Sequence, residues 1–211
     1  LSDAVLATDA VLEETDIPSE LSVEIGGSYE DQQDMFGDLI MLLAMIIILV
    51  YIVMASQFES FMSPFVIMFS IPFAFVGVFM GLWVTGTPLG TMGMIGILIL
   101  MGIVVKNGIV LIDYTILMRE RGYSIAQASV IAANSRLRPI LMTTLTTVLG
   151  MIPMAIGQGE GSEMWRSLGM VVAWGLSIST LVTLVIIPTV YASMASWQER
   201  RAERKAAKAN K

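Results

Sequence analysis

The chain has 211 residues, of which 55% are hydrophobic and 14% charged. A soluble domain carries about 25% charged residues, so this composition argues against an ordinary soluble enzyme. Cysteine and histidine are both absent, which excludes disulfides, thiol catalysis, imidazole bases and the usual zinc sites. The net charge of −6 is unevenly placed: residues 1–38 hold eleven acids and no base, whereas the stretch from Trp197 onward holds six bases and two acids. The chain opens on Leu1 without an initiator Met or a signal peptide, and is expected to be a piece of a longer protein.

In chain order, residues 2–15 read as a short helix with Val5, Leu6 and Leu12 on a partly apolar side, followed by Pro18. Residues 21–25 alternate Leu21, Val23 and Ile25 against Ser22 and Glu24, a half-buried strand stopped by Gly26 and Gly27. One helix and one strand bury too little surface to stand alone. This head is therefore expected to be the end of a larger αβ domain.

Five apolar segments follow, each long enough to cross a hydrocarbon layer about 30 Å thick. They cover roughly residues 36–55, 64–84, 92–117, 139–157 and 167–190. The second and fourth open on Pro64 and Pro139, and their interiors hold Pro72 and Pro153. Membrane helices tolerate such breakers. The predicted fold is an all-α membrane bundle of five spans with a short αβ remnant at its N-terminus. Residues 1–35 form that remnant, 36–190 the bundle and 191–211 a basic tail.

Arg119, Arg121, Arg136 and Arg138 fall between the third and fourth spans, and six further bases follow the fifth. A five-span topology thus puts ten of the twelve bases on one face. The positive-inside rule makes that face cytoplasmic and the acidic head external. Gly77 and Gly81 form a GxxxG pair, and Gly90, Gly93 and Gly96 recur every third residue. Such small residues let helix backbones approach closely in lipid, and bundle packing is the plain reading of them.

Lys106 cannot be read as packing. It lies 13 residues before Arg119, about 20 Å along a helix, too far to snorkel to the interface. A charge at that depth costs at least about 2.5–3.5 kcal/mol and has to be paired, hydrated or neutralised. Its alternatives are a permanent ion pair and a group that changes partner during a cycle. Asp113 lies two turns further on the same face, closer to the cytoplasmic end, where an interfacial carboxylate is the plainer reading. Asn107 is placed to hydrogen-bond across helices. Thr143, Thr144, Thr146 and Thr147 lie within five residues; most are expected to bond their own helix carbonyls, and one facing Lys106 would hold a proton-carrying water. Arg136 stands at the cytoplasmic mouth. No phosphate-binding glycine–lysine loop, catalytic triad or metal cluster is visible, so neither an enzyme activity nor a cofactor is expected. No acid lies mid-span beside Lys106, and its partner is expected on another part of the protein.

The string from Gly102 through Lys106-Asn107-Gly108 to Asp113, the Arg136-Leu-Arg-Pro-Ile-Leu-Met-Thr143 run and the Gly159-Glu-Gly-Ser stretch together resemble the resistance-nodulation-division (RND) efflux transporters. The resemblance is closest to their hydrophobe/amphiphile, multidrug branch, and it covers nearly the whole chain. It implies spans eight to twelve of a twelve-span, proton-driven inner-membrane exporter, with residues 1–35 ending its second periplasmic porter domain. The family's proton relay pairs two aspartates of the other half with a lysine, a threonine and an arginine. By the resemblance these are Lys106, Thr143 and Arg136; Asn107 and Asp113 are read from their places in the third span as supporting polar groups. The metal-efflux branch usually lacks that lysine, so Lys106 favours drug-like substrates. The implied partners are the bilayer, the N-terminal half, two further copies in a homotrimer, a periplasmic adaptor and an outer-membrane channel. No nucleic acid is expected. Two other readings stay open: a lipid- or protein-exporting member of the superfamily, and a non-transporting split half that serves in assembly.

Overall fold

A computed structural model describes residues 7–8, 10–11, 28–157, 159 and 161–209. Residues 7, 8, 10 and 11 are helical; the rest of the predicted head helix and the predicted strand at 21–25 lie outside the described residues. Six α-helices follow: α1 (Ser28–Gln57), α2 (Met62–Met68), α3 (Ile71–Thr85), α4 (Thr91–Glu120), α5 (Ile125–Ile156) and α6 (Ser162–Ala209). Two compact units divide the chain, Leu1–Leu42 and Leu43–Lys211, and their boundary falls within α1.

Five segments are long and apolar enough to cross a membrane: Asp34–Gln57, Met62–Thr85, Thr91–Glu120, Ile125–Ile156 and Met164–Arg201. The fold is thus the all-α membrane bundle expected. The second span is broken. Pro72 sits in the first turn of α3 and has no N–H to continue the ladder from α2. The Ser70 hydroxyl donates to the Ile67 carbonyl at 2.6 Å and closes the break from within.

The stretch between spans three and four differs from its expected form. Residues 118–138 are not a loop. The turn is short, α5 starts at Ile125, and Pro139 lies well inside it. A capping box starts the helix: Gln127 N–H donates to the Ser124 hydroxyl and the Ser124 N–H donates to the Gln127 side chain, both at 3.4 Å. Arg136 and Arg138 are therefore helical residues. Likewise α6 runs unbroken past Pro188 into the basic tail. Arg119 near the end of α4 pairs with Glu199 of α6 at 2.6 Å.

Within the larger unit, α6 is the common partner of α3, α4 and α5. Glycine makes these approaches possible. A Cβ added to Gly77 would stand 3.0 Å from the Trp174 carbonyl oxygen and 3.1 Å from Gly175 Cα. At Gly81 and Gly93 it would collide with Trp174 and Ser167 of α6. Gly96 is similarly tight, whereas Gly90 and Gly102 have nothing within 4 Å. Around this seam lie the fully buried Val78, Leu100, Leu111, Ile112, Val171 and Leu176. One side of α1 is by contrast open, with Met45, Ile48, Leu49 and Ile52 all more than half exposed, although Met54 of the same helix is buried.

Candidate functional site

The site starts from α4, a helix apolar on nearly every side. Its buried residues, Leu100, Met101, Val104, Val105, Leu111 and Ile112 among them, fit against α6 and neighbouring helices. What remains is a stripe at helical spacing. Ile99, Gly102, Lys106, Asp113 and Leu117 are exposed, with Ile109 and Val110 half-exposed between them. Lys106 therefore stands mid-helix, on the face that this chain leaves uncovered. It makes no ion pair and no hydrogen bond with any described residue. Asp113 shares the stripe and is also unpaired among the described residues. Asn107, one position round the helix, is 6% exposed and faces inward without a side-chain hydrogen bond among the described residues.

The threonines of α5 divide by face. Thr144 is buried and shares a 3.2 Å hydrogen bond with Thr180 of α6. Thr146 and Thr147 donate to the carbonyls of Met142 and Thr143 at 2.9 Å, so their donors are satisfied within the helix. Thr143 is exposed and donates to the Ile140 carbonyl at 3.0 Å. Its hydroxyl oxygen keeps lone pairs free to accept from a water or a proton carrier.

Arg136 lies two turns before Thr143, on the same face of α5. Its guanidinium carbon sits 4.7 Å from the centre of the Tyr114 ring, and its Nε is buried without a hydrogen-bond partner among the described residues. The ring face attracts the cation and holds the plane of the fork. Tyr114 is the residue that sequence reasoning missed. The only hint was an aromatic directly after Asp113, and its meeting with Arg136 depends on how α4 and α5 cross. No hydrogen bond or ion pair joins Lys106, Thr143 and Arg136 to one another among the described residues. Lys106, Thr143 and Arg136 are thus three polar groups that no contact among the described residues joins into one network.

The profile of the AcrB/AcrD/AcrF family matches residues 1–195. The chain belongs to this family. As a chain of the RND transporters it is 40% identical over 205 residues to swarming motility protein SwrC of Bacillus subtilis, covering 95% of this chain and 20% of SwrC. It is 34% identical over 185 residues to cobalt-zinc-cadmium resistance protein CzcA of Cupriavidus metallidurans, covering 88% of this chain and 17% of CzcA. It is 34% identical over 214 residues to multidrug resistance protein MdtC of Proteus mirabilis, covering 99% of this chain and 21% of MdtC. Among solved structures, one crystal form of a heavy metal efflux pump superposes with a TM-score of 0.78 at 30% identity, covering 92% of this chain and 20% of the pump. The chain spans about a fifth of the length of these RND relatives. They include both metal and multidrug pumps, so kinship alone assigns the RND family and not the branch.

Proposed function

We propose that this chain forms the second-half membrane region of a proton-driven efflux transporter that exports hydrophobic or amphiphilic compounds. Lys106, Thr143 and Arg136 belong to its proton relay, with Asn107 and Asp113 as supporting polar groups. The observation that carries the reading is Lys106: a lysine at mid-span, on an exposed stripe, without a partner among the described residues. A charge at that level in lipid is expensive. It fits a surface covered by another part of the transporter that supplies a carboxylate. When that acid is ionised it attracts Lys106; when it takes a proton the attraction is lost and the hydrogen bonds redistribute. Two packed bodies with two discrete arrangements can convert that local change into movement at a distant porter site.

The reading also places the N-terminal head in the periplasm and the C-terminal tail in the cytoplasm of an inner-membrane protein, because ten of twelve bases then face inward. It makes the protein a transporter and not an enzyme. Its whole form is a homotrimer with a periplasmic adaptor and an outer-membrane channel. A second reading, export of divalent cations, is favoured by the kinship to CzcA and by the fold shared with a heavy metal pump.

The test is Lys106→Met in the full-length transporter, present in the membrane at wild-type level. Proton-coupled efflux of a cationic amphiphilic dye should fall at least tenfold, as expected when a coupled charge site loses one member. Wild-type pumping by Lys106→Met would make Lys106 a structural charge and end the relay reading. Zinc or cobalt in place of the dye separates the two substrate readings. A cysteine replacing Glu160, labelled only from the cytoplasm, would overturn the orientation.

A further inference from the structure

On the far flank of α5 from Thr143, a groove of about 520 Å³ runs between α5 and α6. Leu137, Leu141, Leu145 and Val148 line one wall and Leu181 the other. Its polar groups are already satisfied by the protein. Thr144 and Thr180 bond each other at 3.2 Å, and the Ser177 hydroxyl donates to the Ala173 carbonyl at 2.7 Å. The walls therefore ask for an apolar occupant.

One lining residue differs. Arg138 is exposed and has no ion pair, hydrogen bond or ring contact with any described residue. A guanidinium is always charged, carries five donors in a fixed fork, and pairs in bidentate fashion with phosphate oxygens. Its depth is informative. Ile156 ends α5 18 residues later, about 27 Å along the helix, close to the full hydrocarbon thickness of about 30 Å. Arg138 thus sits at one membrane–water boundary, where lipid phosphates lie. From Leu137 to Val148 the groove is about 16 Å long, the depth of one leaflet. Arg121 and Arg136 belong to the same end of the bundle, as do Glu120 and the Arg119–Glu199 pair, so bases outnumber acids there.

We propose that this groove seats an anionic phospholipid of the leaflet at the Arg138 end, one acyl chain against the leucine wall and the phosphate on Arg138. The site is separate from the proposed relay face. Leu141 and Leu145 lie two residues either side of Thr143, about 200° round the helix from it. A transporter half docked on the Thr143 side of α5 therefore leaves the groove to the bilayer. The proposal takes from the orientation reading only the name of the leaflet, which is cytoplasmic.

The chain contains no cysteine, so one label can be placed freely. Leu145→Cys carrying bimane is reconstituted in phosphatidylcholine nanodiscs, and quenching is titrated with phosphatidylglycerol or phosphatidylcholine bearing a nitroxide in the acyl chain. Phosphatidylglycerol should half-saturate quenching at about fivefold lower mole fraction than phosphatidylcholine, the preference of one arginine near the surface for an anionic lipid. Adding Arg138→Gln should remove the preference while leaving helicity intact. Ile48→Cys on the open face of α1 should show no preference in either background, and inorganic phosphate in the buffer should not compete. Equal quenching by both lipids at position 145, or a preference that survives Arg138→Gln, overturns the site. Absence of quenching at 145 means that protein fills the groove and overturns it as well.

Discussion

At Gly169, α6 meets the end of α5 backbone to backbone. A Cβ placed there would lie 2.8 Å from Ala155 N, 3.1 Å from Ala155 Cα and 3.1 Å from Met154 C. Ordinary contact begins near 3.4 Å, so Gly169→Ala forces the two helices about 0.6 Å apart (3.4 − 2.8) or bends one of them. No side chain can rotate aside, because all three atoms are backbone. A gap of 0.5–1 Å forfeits roughly a quarter to a half of each dispersion contact along the seam. In lipid no hydrophobic gain offsets the loss, since tails are as apolar as leucine. Overpacking of this kind costs about 1–3 kcal/mol. Alanine offsets part of it, because glycine in a helix interior is up to about 1 kcal/mol worse. Gly150→Ala isolates that second effect: Gly150 is helical in α5 and has nothing within 4 Å. The two variants should thus differ by about 1–3 kcal/mol, with Gly150→Ala at or above the parent. The assay is reversible unfolding of the purified chain in mixed micelles with rising dodecyl sulfate, followed by helicity. Gly169→Ala matching or exceeding Gly150→Ala would refute the close-packed seam.

Tyr114→Phe should keep Arg136 in place, because the ring face survives, whereas Tyr114→Leu should lose about 0.5–2 kcal/mol in the same unfolding assay and lower efflux by the full-length protein; equal behaviour of the two variants would remove the ring from the argument. Thr144→Val should cost about 0.6–1.7 kcal/mol through its lost hydrogen bond to Thr180, and Thr146→Val, whose hydroxyl bonds its own helix, should stay within about 0.5 kcal/mol. Thr143→Ala should slow full-length transport more than Thr146→Ala at equal expression, a ranking read directly from initial efflux rates. Gly102→Leu should leave the stability of this chain at or above the parent, as nothing lies within 4 Å and leucine is the better helix former, yet impair the full-length transporter by filling the face around Lys106; undiminished stability and normal transport together would show that this face stays uncovered.

The five spans were legible because runs of about 20 apolar residues have one common use in a protein. Lys106 stands out in the sequence for the complementary reason, that a charge inside such a run is costly, and the structure sets it mid-helix on an exposed face. Pro139 misled because proline favours the first turn of a helix, and in a soluble protein it would start one. In a membrane bundle it is tolerated internally, and the true start was written in Ser124 and Gln127. Which threonine faces inward was not legible. The alternation that reveals faces in water is absent when the lipid side is as apolar as the core. Thr144 rather than Thr143 is therefore buried for reasons visible only once α6 is in place. The contact of Tyr114 with Arg136 spans two helices and depends on their crossing, which no local pattern specifies.

The bundle has a close-packed seam and an open charged stripe, and on the proposed function their chemistry gives them different mechanical roles. Around α6, glycines let backbones meet at contact distance, and Gly77, Gly96 and Gly169 leave no room for a methyl group without displacement. Such a seam has steep repulsion on one side and lost dispersion on the other, so it resists sliding. The stripe of Gly102, Lys106 and Asp113 is the reverse: exposed, charged and without interlocking neighbours. An interface held by a charge changes its free energy when a proton arrives, whereas one held by packing does not. If the proposed relay holds, α3 to α6 are expected to move as one body, with motion across the Lys106 face. A disulfide between cysteines placed at Thr144 and Thr180, whose hydroxyl oxygens lie 3.2 Å apart across the contact of α5 with α6, should leave full-length transport running. A crosslink tying position 102 to whatever covers it should stop it. Arrest by the first or indifference to the second would reverse the assignment of rigid and moving interfaces.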